Sequence, residues 1–264
     1  MKNTYFPKHE ENRMKNEGDV NAARKYFMTG KNRILYRLIE QRVSWMNEYI
    51  KDSDKIIIEL GCGAGLSKQF IHNKNLILTD IAEYAWVDRY MDALDIDCPD
   101  ESVDVFICSH MIHHTANPAT FFDNVSKKLK PQGRIIIQDI YTSFLMKAVL
   151  RIMRHEGWSD QVNIYDRHTV CNNPDDAWSA NCSIPKLMFW WGGGFCAEFP
   201  MFEILKMSRN ECLLFLTSGG VIAKTGHIPL GDKGVRVIKR MDKFLTEFLP
   251  SIFACGCSIV LQKK

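Results

Sequence analysis

Ile56-Ile57-Ile58-Glu59-Leu60-Gly61-Cys62-Gly63-Ala64-Gly65 is the stretch whose reading decides the fold. Its apolar run reads as a strand buried on both faces of a parallel sheet. The run closes on an acid, Glu59, then breaks into glycines at positions 61, 63 and 65. Glycine at that spacing lets backbone approach a ligand where a Cβ would collide. A polar-capped helix is expected next, from Ser67 to about His72, with unpaired N–H groups at its start. Strand, glycine turn and helix together build a nucleotide-type site at the carboxyl end of a sheet.

Outward from this stretch, strands and helices alternate. Before it, Ile34, Leu35, Leu38, Ile39, Val43, Met46 and Ile50 recur near a 3.6 period, which predicts helix between Asp19 and Ile50. After it, strands are expected at Leu76 to Asp80, at a short Met91-Asp92-Ala93 segment, at Val103 to Cys108 and at Arg134 to Asp139. Pro118 to Leu129 reads as a helix, and Lys130-Pro131-Gln132-Gly133 as a turn. Beyond Ile140 the rhythm changes. Helices are expected at Thr142 to Arg154, Ser183 to Trp191 and Gly234 to Leu249, and strands at Phe202 to Met207 and Cys255 to Leu261. The βαβα order with apolar strands predicts a doubly wound α/β fold around a mostly parallel sheet. The whole chain, 1–264, reads as one domain. Residues 1–50 form an N-terminal helical extension and 141–200 an inserted cap for an acceptor.

The ligand can be narrowed by elimination. The glycines do not follow Gly-x-Gly-x-x-Gly, since position 66 is Leu, and no Gly-Lys-Ser/Thr is present. Neither a pyrophosphate nor a phosphate cradle is therefore expected. Asp80 ends the second strand, where an acid accepts hydrogen bonds from ribose hydroxyls. Asp92 follows the next short strand, in reach of an adenine amino group, and Glu59 can receive an ammonium. Acids for ammonium, ribose and adenine amine without a phosphate site describe an adenosyl amino acid.

With these residues in hand, the chain resembles the class I S-adenosylmethionine-dependent methyltransferases. Ile58 to Gly65 is similar to their glycine-rich first motif. Asp92-Ala93-Leu94-Asp95-Ile96-Asp97-Cys98-Pro99-Asp100-Glu101-Ser102-Val103-Asp104-Val105 resembles the corresponding segment of the branch that includes quinone-biosynthesis methyltransferases. Ser109-His110-Met111-Ile112-His113-His114 and Leu129 to Arg134 extend the resemblance over roughly residues 55–140. Asp97 stands where that branch usually has proline. The resemblance implies a Rossmann-like, seven-stranded sheet whose last strand is antiparallel. It also implies S-adenosylmethionine as cofactor, with contacts at Glu59, Gly61, Gly63, Asp80, Asp92, Ala93 and Ser109. Their neighbours Cys62, Gly65 and Ile81 belong to the same expected site.

Methyl transfer to a hydroxyl is helped by a base, and histidine titrates near neutrality. His110 and His113 follow the fourth strand and, three apart, share a face if that segment is helical. Asp139 ends the fifth strand and can orient such a base. His110, His113 and Asp139 are therefore the expected catalytic residues, while His114 reads as a packed loop histidine. No metal site is expected, because the cluster has no acid at suitable spacing. The expected acceptor wall is Trp158 to Phe199, with Trp178, Trp190 and Trp191 for stacking and Asp166, Arg167 and His168 for polar groups. By the same resemblance, Tyr26-Phe27 are expected to close over the cofactor.

Bulk properties exclude other classes. Net charge is only +3, and the basic residues are spread, so no nucleic-acid partner is expected. The Pro-Pro-Tyr/Phe motif of nucleobase amino-methylation and the Pro-Cys nucleophile of cytosine methylation are both absent. No apolar run reaches the roughly 18 residues of a membrane span, and the first residues lack a signal-peptide core. Nine cysteines without a Cys-x-x-Cys fit buried thiols in a reducing, cytoplasmic compartment. The expected function is methylation of a small or lipid-linked metabolite, at oxygen. Carbon methylation of a quinone-like ring and a non-catalytic S-adenosylmethionine-binding scaffold are the alternatives.

Overall fold

The strand that opens the fold is β2, Ile57–Leu60, and all four of its residues are buried. In the computed structural model, which describes residues 3–8, 19–172, 179–191, 194–221 and 226–264, it pairs in parallel with β3, Leu76–Asp80, and β5, Val103–Ser109. Beyond them lie the short β4, Arg89–Tyr90, and the long β6, Leu129–Ile140. The sheet has seven strands in the order β4-β3-β2-β5-β6-β9-β8. The last strand in sequence, β9 (Gly256–Lys263), runs antiparallel between β6 and β8 (Phe202–Asn210). A separate two-stranded ribbon joins β1, Thr4–Tyr5, to β7, Trp158–Ser159.

Alternation along each strand explains why the apolar runs are continuous. Ile57, Val105, Ile107, Ile136 and Val260 face one core cluster. Ile58, Phe106, Cys108, Ile135 and Ile259 face the other. The first cluster is covered by α1 (Val20–Met28), α2 (Arg33–Val43), α7 (Leu213–Ser218) and α8 (Asp232–Phe248). Asn32 caps α2 by accepting from the Leu35 N–H at 3.0 Å, and its amide donates to the Ser218 carbonyl at 2.8 Å. The second is covered by α3 (Pro118–Lys128) and by α5 and α6 (Ile184–Phe189 and Phe195–Glu198). Phe122 of α3 meets four rings within 6.5 Å, at Phe189, Phe195 and Phe199 and at Phe202 of β8. Each such pair contributes about 0.5–1.5 kcal/mol beyond area burial. α4 (Phe144–Met153) and the short α9 (Pro250–Phe253) complete the helices of the described residues.

Three local expectations change. Ser67 does not begin an α-helix; Ser67–Gln69 is a single 3-10 turn. The Ser67 hydroxyl is taken by Glu59 instead of capping a helix. The place of that helix is filled from the N-terminal side, where Phe70 packs edge-on to Phe27 and Tyr36. Asn47 also fastens the Phe70 carbonyl and the His72 N–H. Lys130 to Gly133 lies within β6, as an irregularity that shifts the register between Leu129 and Arg134. Gln132 there adopts φ 65°. The paired part of the short strand is Arg89–Tyr90, one residue before Met91. The expected Trp178 and the glycines 192 and 193 lie outside the described residues.

Chain order reverses between β2 and β5. That switch point opens a crevice at the carboxyl ends of the strands, the general location of ligands in such sheets.

Candidate active site

A cavity of about 840 Å3 occupies this crevice. The glycine turn forms its floor. Gly61, Gly63 and Gly65 have φ of 65°, 48° and 60°, a left-handed conformation that strains any residue with a Cβ. At Gly61 a Cβ would also press to 2.6 Å from Met111 Cγ. Gly63 meets nothing within 4 Å, so its demand is conformational and its surroundings are open. The turn is pinned where Asp80 Oδ2 accepts from the Gly63 N–H at 2.8 Å and Trp86 Nε1 donates to the Gly63 carbonyl at 2.8 Å. Arg24 of α1 donates to the Ala64 carbonyl at 2.7 Å and lies over the Trp86 ring. α1 thus reaches the turn through Arg24 and Val20. Tyr26 is exposed, and Phe27 is buried against Tyr36.

Glu59, Gly61, Cys62, Gly63, Asp80 and Ile81 line this cavity. Asp92, Ala93, Ser109, His110 and His113 line it too. Of the expected cofactor residues only Gly65 stands back, facing Trp86 and Leu78. Glu59 is buried, and burial raises its carboxyl to about 7 against the hydrogen bond from Ser67. A cation entering there would hold it ionised. Asp80 accepts Gly63 N–H on one oxygen and Ala82 N–H on the other, at 2.8 and 3.0 Å. Each oxygen keeps a lone pair for a further donor. Asp92 is set by accepting from the Leu94 N–H at 2.8 Å. Acids spaced along a phosphate-free glycine cradle suit an adenosyl amino acid, so this floor fits S-adenosylmethionine.

The opposite wall carries the histidines. His110 follows β5 with φ 54°, its N–H donating to the Gln138 carbonyl at 2.7 Å. The segment after it is a 3-10 turn, Ile112–His114, so His110 and His113 do not share a helical face. Their rings are 6.3 Å apart and nearly perpendicular. His110 Nε2 is buried without a hydrogen-bond partner. Burial, then the Arg42 charge, keeps this ring neutral by lowering its pKa well below the usual histidine range.

Asp139 is fully buried and anchors the loop from below, outside the cavity wall. It accepts from the Ile112 N–H at 2.9 Å and from His113 Nδ1 at 2.5 Å. Burial opposes charge on His113, but Asp139 and Glu156 outweigh it and raise its pKa. Asp139 is lowered in turn: burial opposes this, and His113 prevails. His114 also lines the cavity, and burial followed by the His113 charge lowers it to about 4.

Glu156 was not legible as a site residue. It follows α4, whose end is turned by Arg154 in a left-handed conformation, φ 53°. That turn brings His155 and Glu156 back to the cavity beside His113 and His114. The adjacent His155-Glu156 pair just past a helix end was the available signal. Arg42 is a second unforeseen lining residue, held in a buried pair with Glu211 at 2.6 Å. The cavity wall beside them is otherwise apolar and includes Met146, Val149, Leu150, Ile152 and Met153 of α4.

The described part of Trp158 to Phe199 lines none of this cavity. Trp190 packs edge-on to Tyr141 and Phe189, and Trp191 is exposed. Arg167 is spent on Asp123 and Glu198, and Asp166 on the His168 N–H and Thr169. Trp190 serves the cap's own core.

Known proteins share this fold and a matching domain. The family profile of a methyltransferase domain matches residues 31–175. A ubiquinone biosynthesis O-methyltransferase of Stutzerimonas stutzeri is 23% identical over 124 residues, 40% of this chain and 53% of that protein. The mitochondrial ubiquinone biosynthesis O-methyltransferase of Schizosaccharomyces pombe is 21% identical over 142 residues, 46% of this chain and 52% of that protein. The chain thus spans about half the length of the curated relatives it matches. A solved S-adenosylmethionine-dependent methyltransferase from Archaeoglobus fulgidus shares the fold, with TM-score 0.50 and 20% identity over 91% of this chain and 99% of that one. Among the described residues, no helix is long and apolar enough to cross a membrane. By its matched domain, its sheet order and its glycine-floored crevice, the chain belongs to the class I S-adenosylmethionine-dependent methyltransferase family.

Proposed function

We propose that the chain transfers a methyl group from S-adenosylmethionine to an oxygen of a small acceptor with an apolar body. The observation that carries this reading is one cavity with two unlike ends. Its floor is a glycine turn ringed by Glu59, Asp80 and Asp92, and its far wall sets His110, His113 and His114 against apolar α4. Bound S-adenosylmethionine supplies an electrophilic methyl group on a sulfonium sulfur. Glu59 takes the ammonium, Asp80 the ribose hydroxyls and Asp92 the adenine amine, with Ile81, Ala93, Cys62 and Ser109 around them. Gly61 and Gly63 let the backbone lie close.

His110 accepts the proton of the acceptor hydroxyl, its neutral and unpartnered Nε2 being available for this. Asp139 is a positioning residue that acts through His113. The relatives named for O-methylation support oxygen as acceptor atom. Residues 1–50 serve as the cofactor-side extension. Residues 141–200 serve as the cap, of which 141–156 faces the acceptor.

Turnover with methyl-labelled cofactor in an extract of the source cells tests the reading. Label on an oxygen of a small molecule is expected. Label on carbon would move the assignment to ring methylation, and binding without any transfer would leave a scaffold.

Glu59 makes cofactor affinity depend on pH. Its carboxyl titrates at about 7 in the ligand-free fold, while the ammonium needs it ionised. Below pH 7 binding must expel a proton, so affinity is expected to fall by up to about tenfold per pH unit toward pH 5. Calorimetry in buffers of different ionisation enthalpy reads the released proton. Glu59→Gln should abolish that release, and a flat profile in the unsubstituted chain would refute the ammonium assignment.

A further inference from the structure

Two imidazoles and a carboxylate converge at the acceptor end of the cavity. His113 and His114 come from the 3-10 turn after β5, and Glu156 comes from beyond α4. His113 Nε2 lies 3.7 Å from Glu156 Oε2, and His114 Nε2 lies 3.7 Å from Glu156 Oε1. The three ligating atoms all fall within 4.8 Å of one another. A separation of 3.7 Å is too long for a hydrogen bond. It is close to the spacing of two atoms that share an ion, since metal bonds of about 2.0–2.2 Å at tetrahedral angles set neighbours about 3.4 Å apart.

The outer atoms of the same rings carry the second part of the argument. His113 Nδ1 meets Asp139 Oδ1 at 2.5 Å, and His114 Nδ1 meets the Ser179 carbonyl at 3.2 Å. Both partners accept, so each Nδ1 carries its proton outward; an ion would take the place of the second proton that Asp139 and Glu156 favour on His113, leaving each Nε2 lone pair turned inward. This is the outer arrangement that orients ligating histidines, with a carboxylate behind one ring and a backbone carbonyl behind the other. The His113 carbonyl is itself held by the Asn181 N–H at 2.9 Å and the Asn172 amide at 2.8 Å. Glu156 is steadied by His155 Nε2 and Cys182 Sγ, each at 3.2 Å. Independently, His110 Nε2 is buried and unpartnered in the same cavity wall, a polar atom that an ion-bound oxygen would satisfy.

We propose that His113, His114 and Glu156 bind one divalent transition-metal ion of the zinc class, with an open position facing the cavity. Two imidazoles and one carboxylate favour zinc or iron over magnesium, calcium or manganese. Three protein ligands leave room for an oxygen donor. Resting on the methyl-transfer reading above, that donor is the acceptor hydroxyl, which selects acceptors whose oxygen can coordinate, such as a phenol or a vicinal diol. Asp139 positions His113 and does not touch the ion.

The test uses the full chain, stripped with chelator and titrated with Zn2+ by calorimetry, with Co2+ as a spectroscopic probe. One ion per chain is expected, with a Co2+ spectrum of nitrogen and oxygen ligation. His114→Ala and Glu156→Gln should each abolish stoichiometric binding, and Asp139→Asn should weaken it by about 10–100-fold. Circular dichroism and S-adenosylhomocysteine affinity, both expected unchanged in His114→Ala and Glu156→Gln, show that those variants are folded. A chain that binds S-adenosylhomocysteine but takes up no Zn2+ overturns the metal site alone. Zn2+ binding that survives both ligand substitutions, or a Co2+ band from sulfur ligation, overturns it as well. Zn2+ uptake lost in both variants, in a chain that binds no S-adenosylhomocysteine, upholds the site and removes the methyl-donor reading instead.

Discussion

Asp80→Ala is expected to weaken S-adenosylhomocysteine binding by about 10²–10⁴-fold. Asp80 is proposed to accept two ribose hydroxyls, and a hydrogen bond to a charged group contributes about 1.5–3 kcal/mol. Two such bonds, at about 1.4 kcal/mol per factor of ten, give that range. The substitution also removes the acceptor of the Gly63 N–H, which fixes the turn at its open position. Asp80→Asn keeps one acceptor oxygen and should fall between the two. Calorimetric titration reads both variants, and a loss of less than threefold in Asp80→Ala would remove Asp80 from the ribose site.

His110→Asn is expected to lower kcat by about 10²–10⁴-fold, the usual contribution of a positioned acid or base. Asparagine is the informative replacement because His110 has φ 54°, a conformation asparagine tolerates and alanine does not. Lost activity then reports the missing imidazole and not a strained turn. S-adenosylhomocysteine affinity should stay within about twofold of the unsubstituted chain. An unchanged kcat would show that another group takes the proton, and a parallel loss of cofactor affinity would show that His110 belongs to the binding floor.

Much of the glycine-turn end of the cavity was legible because it is local in sequence. A strand, a turn and an acid at each strand end are all set within residues 56–93, and continuous apolar runs made the strands plain. The expected helix after Ser67 was lost because its capping hydroxyl is drawn to a buried carboxylate nearby. The histidine end was hidden for a different reason. Glu156 reaches His113 and His114 only because Arg154 turns left-handed at the end of α4, and hydrophobic periodicity carries no trace of such a turn. The tryptophans suggested a stacking platform, yet Trp190 is held by Tyr141 and Phe189 in the cap core. Composition reveals that aromatic residues are present; it does not reveal which face of a cap they fill.

Titration of the chain with S-adenosylhomocysteine, beside an equal titration with NAD+, tests the central assignment most directly. The two ligands share an adenosine and differ in pyrophosphate against amino acid, the difference on which Glu59 and the glycine spacing turn. One site per chain for S-adenosylhomocysteine and no measurable heat for NAD+ is the expected result. Absence of S-adenosylhomocysteine binding, or equal binding of both, would contradict it.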